Sequence, residues 1–297
     1  MTKQKLTVII LTYNEEIHIA RCLESVASIA SKVVVVDSGS TDSTRAIALK
    51  LGAAVYTNKW RNYSEQFNWA LDNTGPHTEW ILRLDADEIV SKELAKTLEA
   101  VLNGEVAERG FTITRRIYFL GKWIRWGGIY PARMLRLWRS GFGRCESRWM
   151  DEHILVDGLV GHIAGDLYDK NLNNIGWWTA KHNSYASREA LDLLLSEHGV
   201  DHELDRGFNK QAKAKRWLKI GVYSRLPLGW RSMAYFVFRY FVLLGFLDGS
   251  RGFAFHFLQG FWYRFLVDAK ICEVRLRMTR DRISFEEAVA VSLDIKL

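Results

Sequence analysis

Over its first hundred residues the chain alternates short apolar runs with stretches of helical period. Residues 6–11 form an apolar run that stops at Thr12-Tyr13-Asn14-Glu15, after which Ile17, Ala20, Leu23 and Ala27 recur at helical spacing. Residues 32–37 read as a second buried strand ending in Asp37-Ser38-Gly39-Ser40-Thr41-Asp42, with Thr41 as N-cap of a helix through Leu51. A short strand over 53–56 and a helix over 63–71 come next. A fourth strand over 79–84 stops at Asp85-Ala86-Asp87-Glu88, and Ser91 caps a helix to about Leu102. Near-continuous β-branched strands separated by helices predict an α/β fold, a mostly parallel sheet covered on both faces. Ligands of such sheets sit beyond the carboxyl ends of the strands. The three polar clusters all fall at those ends.

Residues 110–165 change character, becoming rich in Gly, Trp and Arg with strand-like pieces over 110–117 and 153–156. A helix is expected from about Asn174 to His198. Two bulky apolar stretches, 230–247 and 253–269, flank a turn expected over Asp248-Gly249-Ser250-Arg251-Gly252.

Composition narrows the classes. With 297 residues, 48% hydrophobic and 13% aromatic, the chain has ample material for a core and is not a disordered polymer. Three scattered cysteines make no disulfide framework or metal motif, and a reducing compartment is the natural reading. The first apolar run is too short for a signal peptide, and no uninterrupted apolar stretch reaches the roughly 18 residues of a spanning helix. The net charge of +7 is uneven: residues 206–247 hold nine Lys/Arg and no Asp/Glu. Residues 206–269 also hold 17 of the 38 aromatics, so interfacial helices on an anionic membrane surface are expected. Packing on the α/β domain or a homo-oligomer is the alternative; nucleic acid is disfavoured, because no reader motif accompanies the charge.

Two carboxylates at Asp85 and Asp87 lie on one side of an extended segment and would repel without a cation between them. A hard divalent ion bridging to phosphate oxygens answers that need; an acidic turn before a helix is the plainer alternative. Asp37 is placed to accept from a base or ribose, or simply to organise its turn. Neither GxGxxG nor GxxxxGK[ST] occurs, so dinucleotide and P-loop folds are unsupported.

Taken together and in this order, the three strand-end motifs resemble those of the family 2 glycosyltransferases of GT-A fold. Residues 6–200 carry the resemblance, and segments 121–131, 136–139, 181–186 and Asp248-Gly249 are similar to a branch that builds bacterial lipopolysaccharide cores and surface polysaccharides. The resemblance implies a GT-A domain over 1–205, with a nucleotide-sugar half to about 105 and an acceptor half to 205. A helical membrane-association or oligomerisation region would follow over 206–297. It implies inverting transfer from a nucleotide-sugar donor, a UDP-sugar by expectation, to a lipid-linked saccharide at the cytoplasmic face of the inner membrane. A peptide glycosyltransferase or a non-catalytic scaffold are the rival readings. Thr12, Tyr13 and Glu15 would line base and ribose, Asp37 the uracil or ribose edge, and Lys59, Gln66 and Asn68 the donor cleft. Asp85 would lie by the ribose or sugar, and Asp87 would ligate Mg2+ or Mn2+. Arg136, with Arg133 and Arg139, is a candidate diphosphate contact. Inversion also needs a general base, for which Glu152 is favoured and Asp151 comes second.

Overall fold

The computed structural model describes residues 5–75, 78–146, 153–197 and 227–296. They fall into two compact units, one holding the described residues of 5–125, 129–146 and 153–172, the other those of 126–128, 173–197 and 227–296. The division after Leu172 comes earlier than the boundary expected at 205, because the helix after it shares its core with the C-terminal helices.

The first unit is built on one sheet of nine strands. In chain order they are β1 Leu6–Thr12, β2 Lys32–Asp37, β3 Ala54–Thr57, β4 Trp80–Asp85, β5 Glu88–Val90, β6 Gly110–Phe119, β7 Lys122–Ile124, β8 Ala132–Arg139 and, after a small hairpin, β11 Val160–Lys170. The spatial order is β3-β2-β1-β4-β8-β6-β11-β5, with β7 on β6. The β3-β2-β1-β4 half is parallel; beyond it β8 runs antiparallel to both β4 and β6, so the sheet is mixed. The hairpin pairs β9 Gly143–Cys145 with β10 Ile154–Val156.

Period-two alternation divides the side chains between two faces. Leu6, Val8 and Ile10 pack with Leu82 and Leu84 against α1 (Ile19–Val26) and α4 (Lys92–Asn103). Ile9, Val34, Val36 and Ile81 face the other way, onto Phe67 and Ala70 of α3 (Tyr63–Asn73) and Ile154 and Val156 of the hairpin. Register then fixes the rim: Thr12 pairs with Asp37, and Leu11 with Asp85, so the polar ends of β1, β2 and β4 come out side by side.

Local signals are mostly met. Ser91 caps α4 through Leu94 N–H, and Asn62 caps α3 through Glu65 N–H. Helix α2 (Thr44–Lys50) starts later than Thr41, whose N–H is taken by the Asn14 side chain. Strand β5 fills the interval between the acidic turn and the Ser91 cap of α4.

In the second unit, α5 (Ile175–Glu197) packs Ala186, Ala190, Leu191 and Leu194 with α8 (Tyr263–Arg280) and α9 (Phe285–Leu293). Between them come α6 (Trp230–Val237) and α7 (Gly249–Phe255), each running on into a wider π-helical stretch, Phe238–Val242 and His256–Trp262. The turn expected at 248–252 is therefore largely helical.

One glycine in the first unit is irreplaceable by geometry. Gly165 sits in the bulge of β11 at φ +99°, where a Cβ would come within 2.6 Å of the Leu94 Cα at the start of α4. Gly165→Ala should cost about 3 kcal/mol or more, read as a lower urea midpoint with the slope unchanged.

Candidate active site

The site is two loops laced together at the carboxyl ends of β1 and β2. Thr12 Oγ1 donates to Asp37 Oδ2 (3.1 Å), and Asn14 N–H to Ser40 Oγ (2.8 Å). In return Thr41 N–H donates to Asn14 Oδ1 (2.9 Å) and Ser43 N–H to the Glu16 carboxylate (3.0 Å). Glu15 N–H reaches Thr44 Oγ1 (2.8 Å), and Glu16 N–H reaches Asp42 (3.1 Å). Asn14 holds φ +55°, a conformation its short amide tolerates better than most side chains.

Asp37 anchors this lacing. Fully buried, it accepts from Gly39 N–H (3.1 Å), Ser40 N–H (2.9 Å) and Ser40 Oγ (2.5 Å) as well as Thr12. Underneath, buried Gln66 donates to Ser38 Oγ and the Asn58 carbonyl (3.1 Å each) and accepts from the Asn58 amide (2.8 Å). It shapes the loop from below. Above the loops, Tyr13 is 58% exposed, an unpacked ring at the rim. Lys59 is exposed just beyond β3. Asn68 points elsewhere: its amide clasps both backbone groups of Cys145 (2.9 and 3.0 Å), fixing β9.

At the end of β4 the charges are shared. Arg136 Nη2 donates to Asp85 (3.0 Å) and Glu88 (2.7 Å), with Arg136 and Glu88 both buried. Arg136 thus serves the carboxylates, which differs from the expected diphosphate contact. Asp85 also accepts from the Tyr63 hydroxyl (3.1 Å), and its N–H is held by Glu88 (3.0 Å). The Arg83 guanidinium covers the Tyr63 ring at 4.2 Å. Burial alone would raise the Asp85 carboxyl, but Arg136 and then Arg83 outweigh it and hold it well below the usual carboxylate range. Burial, partly offset by Arg136 and reinforced by Asp85, pushes the Glu88 carboxyl up to about 8.

Asp87 stands apart. Asn171 donates to its Oδ2 (3.0 Å), while Oδ1 accepts no hydrogen bond among the described residues. Residues 170–172, just past β11, latch onto this turn. Lys170 N–H donates to the Asp87 carbonyl (3.2 Å), and Arg21 of α1 donates to the Lys170 carbonyl. Leu172 N–H donates to His18 Nε2 (2.8 Å), which leaves His18 Nδ1 to carry the proton toward Glu15 (2.5 Å). The Glu15 carboxylate is thereby committed to His18.

Register brings Thr12, Asp37 and Asp85 to one rim, with Tyr13 on its loops and Gln66 of α3 beneath them. Asn68 and Arg136 act as supports. Asp151 and Glu152 lie outside the described residues. Sequence reasoning missed Asn14, Glu16, Asp42, His18 and Asn171. The first three fall within or beside the motifs and carried a signal; Asn171, far along the chain, carried none.

The raised Glu88 value fixes a pH dependence. Its contribution to stability is complete below about 4.5 and is lost as pH rises toward about 8. Asp85 works the other way: its contribution is present above 3.8 and is lost in acid. Urea unfolding across pH 5–8.5, a range set by roughly the Glu88 interval, should show wild-type stability falling more steeply with pH than that of Glu88→Gln.

Residues 7–148 match the family model described as glycosyl transferase family 2. An uncharacterised glycosyltransferase of Rickettsia conorii is 41% identical over 252 residues, covering 82% of this chain and 84% of its own. The lipopolysaccharide core biosynthesis glycosyltransferase LpsC of Rhizobium meliloti is 33% identical over 166 residues, covering 54% of this chain and 60% of its own. Among solved structures, glucosyl-3-phosphoglycerate synthase of Mycobacterium tuberculosis aligns over 38% of this chain and 44% of its own, at 21% identity and a TM-score of 0.32. With its motifs at the ends of β1, β2 and β4 inside the matched span, the chain belongs to the family 2 glycosyltransferases.

Proposed function

We propose that this glycosyltransferase moves a sugar, with inversion, from a nucleotide-sugar donor, a UDP-sugar, to a lipid-linked saccharide in bacterial polysaccharide or lipopolysaccharide-core synthesis. The likeness to LpsC supports the biosynthetic setting. The laced rim around Asp37 carries the reading. It offers an exposed aromatic ring at Tyr13 to a base, a rigid polar floor to a ribose, and an acidic turn beyond.

Donor diphosphates are commonly neutralised by a divalent ion, and the donor set here fits one. Among the described residues no three His, Cys, Asp or Glu side chains gather into a cage. Mg2+ or Mn2+ needs only one or two protein carboxylates when phosphate oxygens complete its shell. Asp87, with an oxygen to spare, would hold it; Asp85, shared between Arg136 and Tyr63, would orient the turn. The ion would stabilise charge on the departing diphosphate. Asn171 keeps the Asp87 carboxylate in one orientation, as groups behind a metal ligand do. Glu152 or Asp151 would take the acceptor hydroxyl proton, Glu152 being the first choice.

Asp87→Asn should reduce donor turnover by roughly two to three orders of magnitude, the scale for losing one group that stabilises developing charge. Chelation should do the same to the wild type, reversibly on adding Mn2+. Turnover untouched by both would remove the metal from the reading. Asn171→Ala should instead raise the metal concentration giving half-maximal turnover by about 10–100-fold, with turnover recovering at saturation.

A further inference from the structure

The second unit carries a segment turned inside out for water. Over residues 230–250 the only charged side chains are Arg231, Arg239 and Asp248, and all three are buried. Each has a partner within the unit. Arg231 Nε donates to Asp268 (2.7 Å), Arg239 Nε to the Gly127 carbonyl (2.8 Å), and Asp248 accepts from Trp126 N–H (2.9 Å). Gly127, at φ +69°, makes this possible: a Cβ there would meet the His256 ring at 2.2 Å. The large apolar side chains face outward instead, with Trp230 77%, Val242 63% and Phe241 56% exposed, and Val237, Phe238 and Leu247 exposed as well. Monomeric soluble proteins seldom gather such a patch without a partner for it.

Its shape is a wedge. Trp230–Val242 and Gly245–Arg280 meet at 72°, with Leu244 in the left-handed region at the bend. The exposed residues cluster on both sides of that bend. Among the described residues no single helix is long and apolar enough to cross a membrane. The first exposed charge after the bend is a cation, Arg251, whose long stem can reach headgroups. In sequence, the segment before the wedge carries seven Lys/Arg and no acid over 206–229. A second copy would set those like charges against one another; anionic lipid headgroups complement them.

We propose that the bend at residues 237–247 is a monotopic wedge that enters one leaflet of an anionic bilayer, with the three charges of residues 230–250 satisfied inside the protein. The wedge does not depend on the donor chemistry, so either reading can fail without the other.

The full chain tests it in a Cys272→Ser background, since Cys22 and Cys145 are buried. Phe241→Cys, or Leu49→Cys on exposed α2 as control, carries an NBD label. On phosphatidylethanolamine–phosphatidylglycerol vesicles, the label at 241 should shift to the blue and be quenched by nitroxide-bearing acyl chains, while the label at 49 stays in water. Phe241→Asp with Val242→Asp, both on the surface, should reduce flotation with these vesicles by at least about tenfold, as expected on withdrawing two inserted side chains. The melting temperature should not change. An unquenched label at 241, or flotation indifferent to the double substitution, would overturn the wedge. So would a label shielded without vesicles in step with concentration-dependent sedimentation, which would assign the face to a second copy.

Discussion

A strand covered on both faces can carry charge only at its ends or paired with a counter-ion, because an unpaired ion in its middle would face several kcal/mol of desolvation. That constraint organises the first unit. Strands β1, β2 and β4 are largely apolar and parallel in register, the one mid-strand charge of β4, Arg83, lying over the Tyr63 ring beside Asp85, so Thr12, Asp37 and Asp85 emerge along one rim. The rim is then stiffened from within. Asp37 spends its carboxylate on four donors of its own loop region, and the Asn14, Glu16 and Asp42 side chains cross-link that loop to its neighbour. A loop so fixed presents its remaining groups without first having to order itself.

The acidic turn shows how the same fold separates two carboxylates that sequence places as a pair. Arg136 comes from β8, the strand inserted antiparallel between β4 and β6, and its guanidinium lies between Asp85 and Glu88. Arg136 cannot neutralise two buried acids at once: Asp85, which Arg83 also favours, keeps its charge, while Glu88 is driven toward its neutral form. Asp87 escapes this cluster and faces Asn171. Mixed pairing in the sheet is therefore part of the site: without β8 beside β4, Asp85 and Glu88 would have no shared counter-ion.

The parallel half of the fold was legible because its strands are β-branched runs with polar stops, and its helices carry Ser91 or Asn62 at their starts. The site rim followed from the same stops. Three things were not legible. The mixed half depends on long-range pairing of β6 with β8, antiparallel, and with β11, parallel, which local period cannot register. The partners of each polar residue depend on it too: Arg136 reads as a phosphate contact in sequence, and Asn68 as a cleft residue, until the sheet delivers their actual neighbours. The helical turn at 248–252 was hidden by its glycines, which the buried Asp248 and the close approach of its neighbours explain.

The central claim is that the rim at the ends of β1, β2 and β4 receives a nucleoside diphosphate and its ion. A crystal structure of the chain with UDP and Mn2+ tests it most directly. The account predicts the base beside Tyr13 and Asp37, and the ion on Asp87 against the diphosphate. Density for the nucleotide away from that rim, with Asp37 and Asp87 bare, would contradict it.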